Sequence, residues 1–166
     1  PTSEQIYSVE KYFSSEPYQE VLINNLSIEG YSLVDEGTFG SLDIVYLLQP
    51  QIGPSIAVNA AIGIGGGSWK DYEDENDNLL MTLKVSGDNG KELTEIYDSY
   101  ISWAEAQPRF TEAESSTNAV GKLYVGETNF WIENENGFVR MMLSQDLDIL
   151  ENILSDCPSA SCKKDF

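Results

Sequence analysis

The sequence predicts a two-layer α+β sandwich in which a mostly antiparallel sheet is packed by helices, in the order α-βββ-α-ββ(β)-α. Three observations predict it. Residues 91–109 (KELTEIYDSYISWAEAQPR) place Leu93, Ile96, Tyr97, Tyr100, Ile101 and Ala104 on one helical stripe, with Glu92, Glu95, Asp98, Ser99, Ser102 and Glu105 opposite. Strand-like segments stand on both sides of that helix. Near the C-terminal end, Asn136-Gly137 between two apolar runs is a hairpin signal. A mid-chain helix between two groups of strands is suited to cover one face of a sheet.

Taken in order, Thr2 and Gln5 offer a capping box ahead of Ile6, Val9 and Phe13. Pro17 restarts a helical stretch marked by Tyr18, Val21, Leu22 and Leu26, which ends near Gly30. From Tyr31 the period shortens. Residues 42–48 (LDIVYLL) read as a central strand, and 55–64 (SIAVNAAIGI) as another with Ile56, Val58, Ala60, Ile62 and Ile64 on one face. Residues 65–78 (GGGSWKDYEDENDN) read as a glycine-rich, then acidic loop. A strand follows at 79–85, and Asp88-Asn89-Gly90 turns into the long helix, which Pro108 stops. The polar run 111–118 is a loop. Strands are expected at 119–125, 129–133 and 137–143, and a last helix at 146–154 with Leu147, Leu150, Ile153 and Leu154 on one side. All 166 residues read as one domain, with a flexible tail from about 155.

The charge is lopsided. Asp and Glu number 28 and Lys and Arg 9, for a formal net charge of -19. Such a polyanion is repelled by nucleic acid and by anionic lipid, while cationic proteins or peptides suit it as partners. No apolar run reaches the roughly 20 residues of a membrane span. There is no His, which removes Ser-His and Cys-His dyads and imidazole metal ligands. No catalytic residue, metal set or cofactor site is expected.

Three local patterns bear on sites. The run Gly63-Ile64-Gly65-Gly66-Gly67 follows an expected strand but fits no phosphate-binding motif, and acidic residues follow it at once. Asp71, Glu73, Asp74, Glu75 and Asp77 fail the EF-hand pattern because Leu79 and Val85 stand where Gly and Glu are required. They read instead as a solvated acidic loop whose carboxylates repel one another, with a looser cation site as the alternative. Trp131, Asn59 and Trp69 form a possible ligand face, and Phe130 and Trp131 point to opposite sides of their strand. Cys157 and Cys162 can close a small disulfide loop, which points to a periplasmic or secreted chain, or failing that a cytoplasmic one. Asn25-Leu26-Ser27 matches a glycosylation acceptor.

The order of elements over about 18–154 resembles that of the YbjN family and the related bacterial type III secretion chaperones. The likeness is carried by Glu29-Gly30-Tyr31, by 42–48, by the long helix with Trp103, and by Gly121-Lys122-Leu123-Tyr124-Val125. Ser102 and Ala104 stand where the family has asparagines beside its helix tryptophan. The resemblance implies a non-catalytic, chaperone-like module, often a homodimer, that binds a polypeptide. The alternative is an exported domain binding a small ligand, a sugar or a lipid, on the face that carries Trp131, Asn59 and Trp69.

Overall fold

The computed structural model describes residues 7–14, 19–114 and 121–155. Within them lies an antiparallel seven-stranded sheet with five helices, the expected sandwich. The strands are β1 (Ser32–Thr38), β2 (Ile64–Glu73), β3 (Leu79–Gly87), β4 (Thr111–Ala113), β5 (Lys122–Val125), β6 (Asn129–Glu135) and β7 (Phe138–Ser144). The helices are α1 (Val9–Ser14), α2 (Ser41–Ile52), α3 (Pro54–Ile62), α4 (Gly90–Glu105) and α5 (Leu147–Ser155). Across the sheet the order is β1-β2-β3-β7-β6-β5-β4. Helix α4 carries the chain from β3 in the middle to the far edge, and the last four strands walk back until β7 pairs with β3.

Helix α4 forms as its stripe predicts. Asn89 caps it, its side-chain oxygen accepting from the N–H groups of Lys91 at 3.0 Å and Glu92 at 3.1 Å. Leu93, Ile96, Tyr100, Trp103 and Ala104 are buried against the sheet. Full burial of a large apolar side chain is worth about 1.5–3 kcal/mol. Trp103 sets its ring edge-on to Phe110 and Phe130, at 5.8 and 5.5 Å between centroids. The Asn136-Gly137 hairpin is also present, with both residues at positive φ (54° and 83°) as a tight turn between β6 and β7 requires.

Four expected elements are different in the structure, and the loop expected at 111–118 begins instead as the edge strand β4, paired with β5. Residues 42–48 belong to α2, where Ser41, Ile44 and Leu48 are buried at helical spacing. Residues 55–64 fall mostly in α3, which turns Ala57, Ala60 and Ala61 inward. Short apolar runs do not distinguish a buried strand from a helix by period. The deciding local signals are caps: the Gly40 N–H donates to the Asp43 carboxylate at 2.8 Å, and Pro54 occupies the first turn of α3 after Gly53 at φ 84°. The glycine-rich stretch is strand β2, not a loop. A side chain at Gly67 would meet the Phe39 carbonyl at 2.9 Å, so glycine lets two backbones approach. Lastly, 19–28 has no helix; Val21 and Ile23 are buried while Leu22 and Asn24 are exposed, the alternation of extended chain.

The sheet has two covered faces. On one, α2, α3 and α4 pack on Leu83, Val85, Phe130, Ile132, Val139 and Met141. On the other, α5 and Ile23 pack on Tyr72, Leu80, Leu123, Trp131 and Met142. The extended segment is tied down by hydrogen bonds from Leu26 N–H to the Tyr72 hydroxyl at 3.0 Å and from Ser68 Oγ to the Val21 carbonyl. Helix α1 is held by the Lys11–Asp88 ion pair and leaves Val9 and Phe13 exposed rather than in a core. The Thr2 capping box, the cysteines and the tail from about 155 lie outside the described residues, save Ser155 at the end of α5.

Among the described residues, the hydroxyls of Tyr100 and Tyr124 in the helix-side core are buried without a hydrogen bond, and Tyr100 is the more informative. The Tyr100 hydroxyl is buried without a hydrogen bond, and burial holds its ionisation far above the usual tyrosine value. Tyr100→Phe is therefore expected to stabilise the fold, by up to about 1–3 kcal/mol, read as a higher midpoint in urea unfolding. A lowered midpoint would show that the hydroxyl is bonded in solution.

Candidate functional site

An open groove of about 490 Å³ lies between α3 and α4. Its existence follows from small residues. Ala57, Ala60 and Ala61 seat α3 close to the core, and a side chain at Gly63 would strike Glu92 Cβ at 2.7 Å. The α3 wall carries Ile56, Asn59, Ala60 and Ile62 and no charge. The α4 wall carries Glu92, Glu95 and Asp98, which recur every three residues along the helix.

The donors and acceptors of this groove are unbalanced. Ser99 Oγ donates to the Glu95 carbonyl at 2.7 Å and Ser102 Oγ to the Asp98 carbonyl at 2.9 Å, so both hydroxyl protons are spent inside α4. The Asn89 amide donates to the Glu92 carboxylate at 2.8 Å and fixes it at the head of the groove. Lys91 pairs with Glu95 at 3.1 Å, but both are exposed, where such pairs contribute little. The carboxylates remain as acceptors, with the Asn59 amide the one polar side chain on the facing wall. A ligand that supplies donors and positive charge, with apolar groups for Ile56 and Ile62, is complementary to this surface.

The three residues expected to form a ligand face do not meet. Asn59 lies in the groove. Trp69 is half-buried against the helix-side core, its indole beneath Gly37 of β1. Trp131 is buried on the opposite face with Leu123, Met142 and Leu150. Phe130 and Trp131 lie on opposite faces of β6, and both are buried because the sheet is covered on both sides. Sequence reading placed the α4 carboxylates on the helix's solvent side, but that α3 stands opposite them was hidden by its reading as a strand.

Two charged clusters lie elsewhere. Lys122 bridges Glu105 of α4 at 3.6 Å and Glu112 of β4 at 3.3 Å, tying the sheet's far edge to the helix layer. On the second face, Arg140 pairs with Glu133 and lies 3.8 Å from Glu135, and Lys84 sits 4.7 Å above the Phe138 ring. Burial raises the Glu133 carboxyl above its ordinary range, and the adjacent Arg140 only partly offsets this. Both are ion-pair clusters with the geometry of structural ties.

The acidic run 71–77 is split by structure. Asp71 and Glu73 are in β2, and among the described residues no group of three His, Cys, Asp or Glu side chains is placed to hold a metal. Asp71 faces Asp35 across the β1–β2 ladder, one oxygen buried without a partner; burial first, then Asp35 and Glu73, raises its pKa. Asp74 departs from the expected mutual repulsion. It accepts from the N–H groups of Asn76 at 2.8 Å and Asn78 at 2.9 Å and from the Asn78 amide at 2.8 Å, and these bonds lower its pKa.

No family model matches the chain, and no curated protein or solved structure matches it. Among the described residues, no helix is long and apolar enough to cross a membrane.

The two aspartates should respond oppositely to substitution. A folded pKa raised above the unfolded value means the native state binds the Asp71 proton more tightly, so its penalty is full above the folded pKa and vanishes below the unfolded one. Asp71→Asn should raise the melting temperature at pH 7, with the difference closing as pH falls through the carboxylate range. For Asp74 the sign reverses: its stabilisation is present above the unfolded pKa and lost as pH falls through the folded one. Asp74→Ala should lower the melting temperature at pH 7 and have progressively less effect in acid. Melting curves from pH 7 to about 3, a window set by carboxylate pKa values, test both.

Proposed function

We propose that the protein is a non-catalytic, chaperone-like binding module that holds a cationic, amphipathic stretch of polypeptide in the groove between α3 and α4. The observation that carries this reading is the asymmetry of the walls, uncharged and partly apolar on α3, acidic on α4. A helix with apolar residues on one side and Lys or Arg on the other matches both walls at once, the helix-in-groove mode of recognition. The charge of -19 extends the attraction beyond the groove and favours fast encounter at low salt. The alternative of a small sugar or lipid ligand has less support, since Trp131 and Trp69 do not line the groove with Asn59.

The test is a titration of a fluorescent Leu/Lys amphipathic helical peptide, followed by anisotropy. Binding should weaken as salt rises, and Glu92→Gln/Glu95→Gln/Asp98→Asn should weaken it by about tenfold or more at low salt, as expected from losing charge complementarity at three positions. An isomeric peptide with the same charges but no apolar face should bind worse than the amphipathic one. Equal affinity for the parent and the triple variant would remove the groove from consideration.

A further inference from the structure

Among the described residues, the segment that precedes β1 joins no strand ladder and is fastened to the sheet by a few polar ties. Residues 19–28 run along β2 on its second face. Gln19 N–H donates to the Gly65 carbonyl at 2.9 Å, Ser68 Oγ donates to the Val21 carbonyl, and Lys70 Nζ donates to Asn25 Oδ1. Leu26 N–H donates to the Tyr72 hydroxyl at 3.0 Å. Val21 and Ile23 are the buried side chains of this stretch, while Leu22, Asn24, Asn25 and Ser27 face water. Helix α1, at 6 residues, is too short to be stable alone, and Val9, Tyr12 and Phe13 are exposed on it. It is fastened by the ion pair of Lys11 with Asp88, whose side chains are 13% and 8% exposed.

Asp88 connects this segment to the groove. Its N–H donates at 3.0 Å to the carbonyl of Gly63, which lines the groove with Glu92, and it precedes Glu92 by one helical turn. Its carboxylate belongs to the amino-terminal segment. A side chain on Gly65 would come within 3.1 Å of Asp88 Oδ1 and 2.6 Å of Gln19 Nε2, so Lys11, Gln19 and Asp88 converge there. We propose that α1 and residues 19–28 form a releasable strap, latched by Lys11 on Asp88, that restrains the groove, on the reading that the groove is the peptide site. With the latch closed, Lys11 neutralises Asp88. Release leaves Asp88 as a fourth carboxylate ahead of Glu92, Glu95 and Asp98, and a cationic guest is held more tightly. Linkage makes the effect reciprocal, so a guest in the groove favours the open strap by the same factor. Salt separates strap opening from global unfolding. It screens the latch and promotes opening, while it screens the repulsion within a chain of net charge -19 and steadies the sheet.

Amide hydrogen exchange of the full chain reads the strap at Gln19 and Leu26 and the sheet at β3 and β7. Anisotropy of the Leu/Lys peptide reads the groove. From low salt to about 0.5 M NaCl, exchange at Gln19 and Leu26 should quicken while that of β3 and β7 slows. Lys11→Gln should quicken strap exchange by about tenfold, the effect of losing one hydrogen bond to a charged group. It should also raise peptide affinity at low salt by up to about fivefold, the range of one exposed ion pair. Asp88→Asn should open the strap equally without raising affinity, because the released group is then uncharged. Ile23→Ala and Ser68→Ala loosen the strap with no change in charge. Both should quicken strap exchange and raise affinity while β3 and β7 stay protected, which a direct effect of the Lys11 charge on the guest would not produce. The proposal is overturned if Lys11→Gln leaves strap exchange as in the parent, or if Ile23→Ala and Ser68→Ala fail to raise affinity. It is overturned equally if Asp88→Asn raises affinity as Lys11→Gln does. A peptide that binds neither the parent nor any variant removes the groove reading itself, and the regulation with it.

Discussion

The fold depends on covering the sheet face formed by Leu83, Val85, Phe130, Ile132, Val139 and Met141. That face runs across β3, β7 and β6, where the two halves of the sheet join, and nothing in the strands themselves can shield it from water. Helix α4 lies over the join, with Trp103 in edge contact with Phe130. Helices α2 and α3 complete the layer through Ile44, Leu48 and three inward alanines. The groove is a by-product of this packing. It opens where a helix of small residues is set close to a helix whose solvent side is acidic.

The opposite face solves a different problem. Its apolar half is covered by α5 and Ile23, whereas its other half carries Thr82, Lys84, Ser86, Glu133 and Arg140, all largely buried. Removing carboxylates and cations from water costs several kcal/mol per ion before attraction and hydrogen bonding compensate. The raised Glu133 pKa indicates that compensation is partial there. Such a strip contributes less to stability than an apolar one, and it fixes register, because slipping β6 against β7 by one residue would part Glu133 from Arg140.

Charge is distributed unequally over the helix layer. The acidic side chains of α4 make one wall of the groove, and α3, which carries no charged residue, makes the other.

What the sequence alone determined was each element whose period and caps agree. The α4 stripe with its Asn89 cap, the Asn136-Gly137 hairpin with β6 and β7, strand β3 and the α5 face were legible from residue spacing. The acidic side of α4 was legible too, so half of the groove could be seen. Tertiary structure decided the rest. Residues 42–48 and 55–64 are apolar enough for either a strand or a helix, and they became helices because the sheet face under α4 needed a wider cover and caps were in place at Asp43 and Pro54. The glycines of β2 became a strand because Phe39 and Lys84 backbones press against it, a neighbourhood absent from any local pattern. By sequence Asp74 is one more repelled carboxylate, yet the turn aims two backbone N–H groups and an amide at it. Period and capping are local and readable. Which surface an ambiguous segment must cover, and which donors converge on a carboxylate, depend on chain that is distant in sequence and close only in the fold.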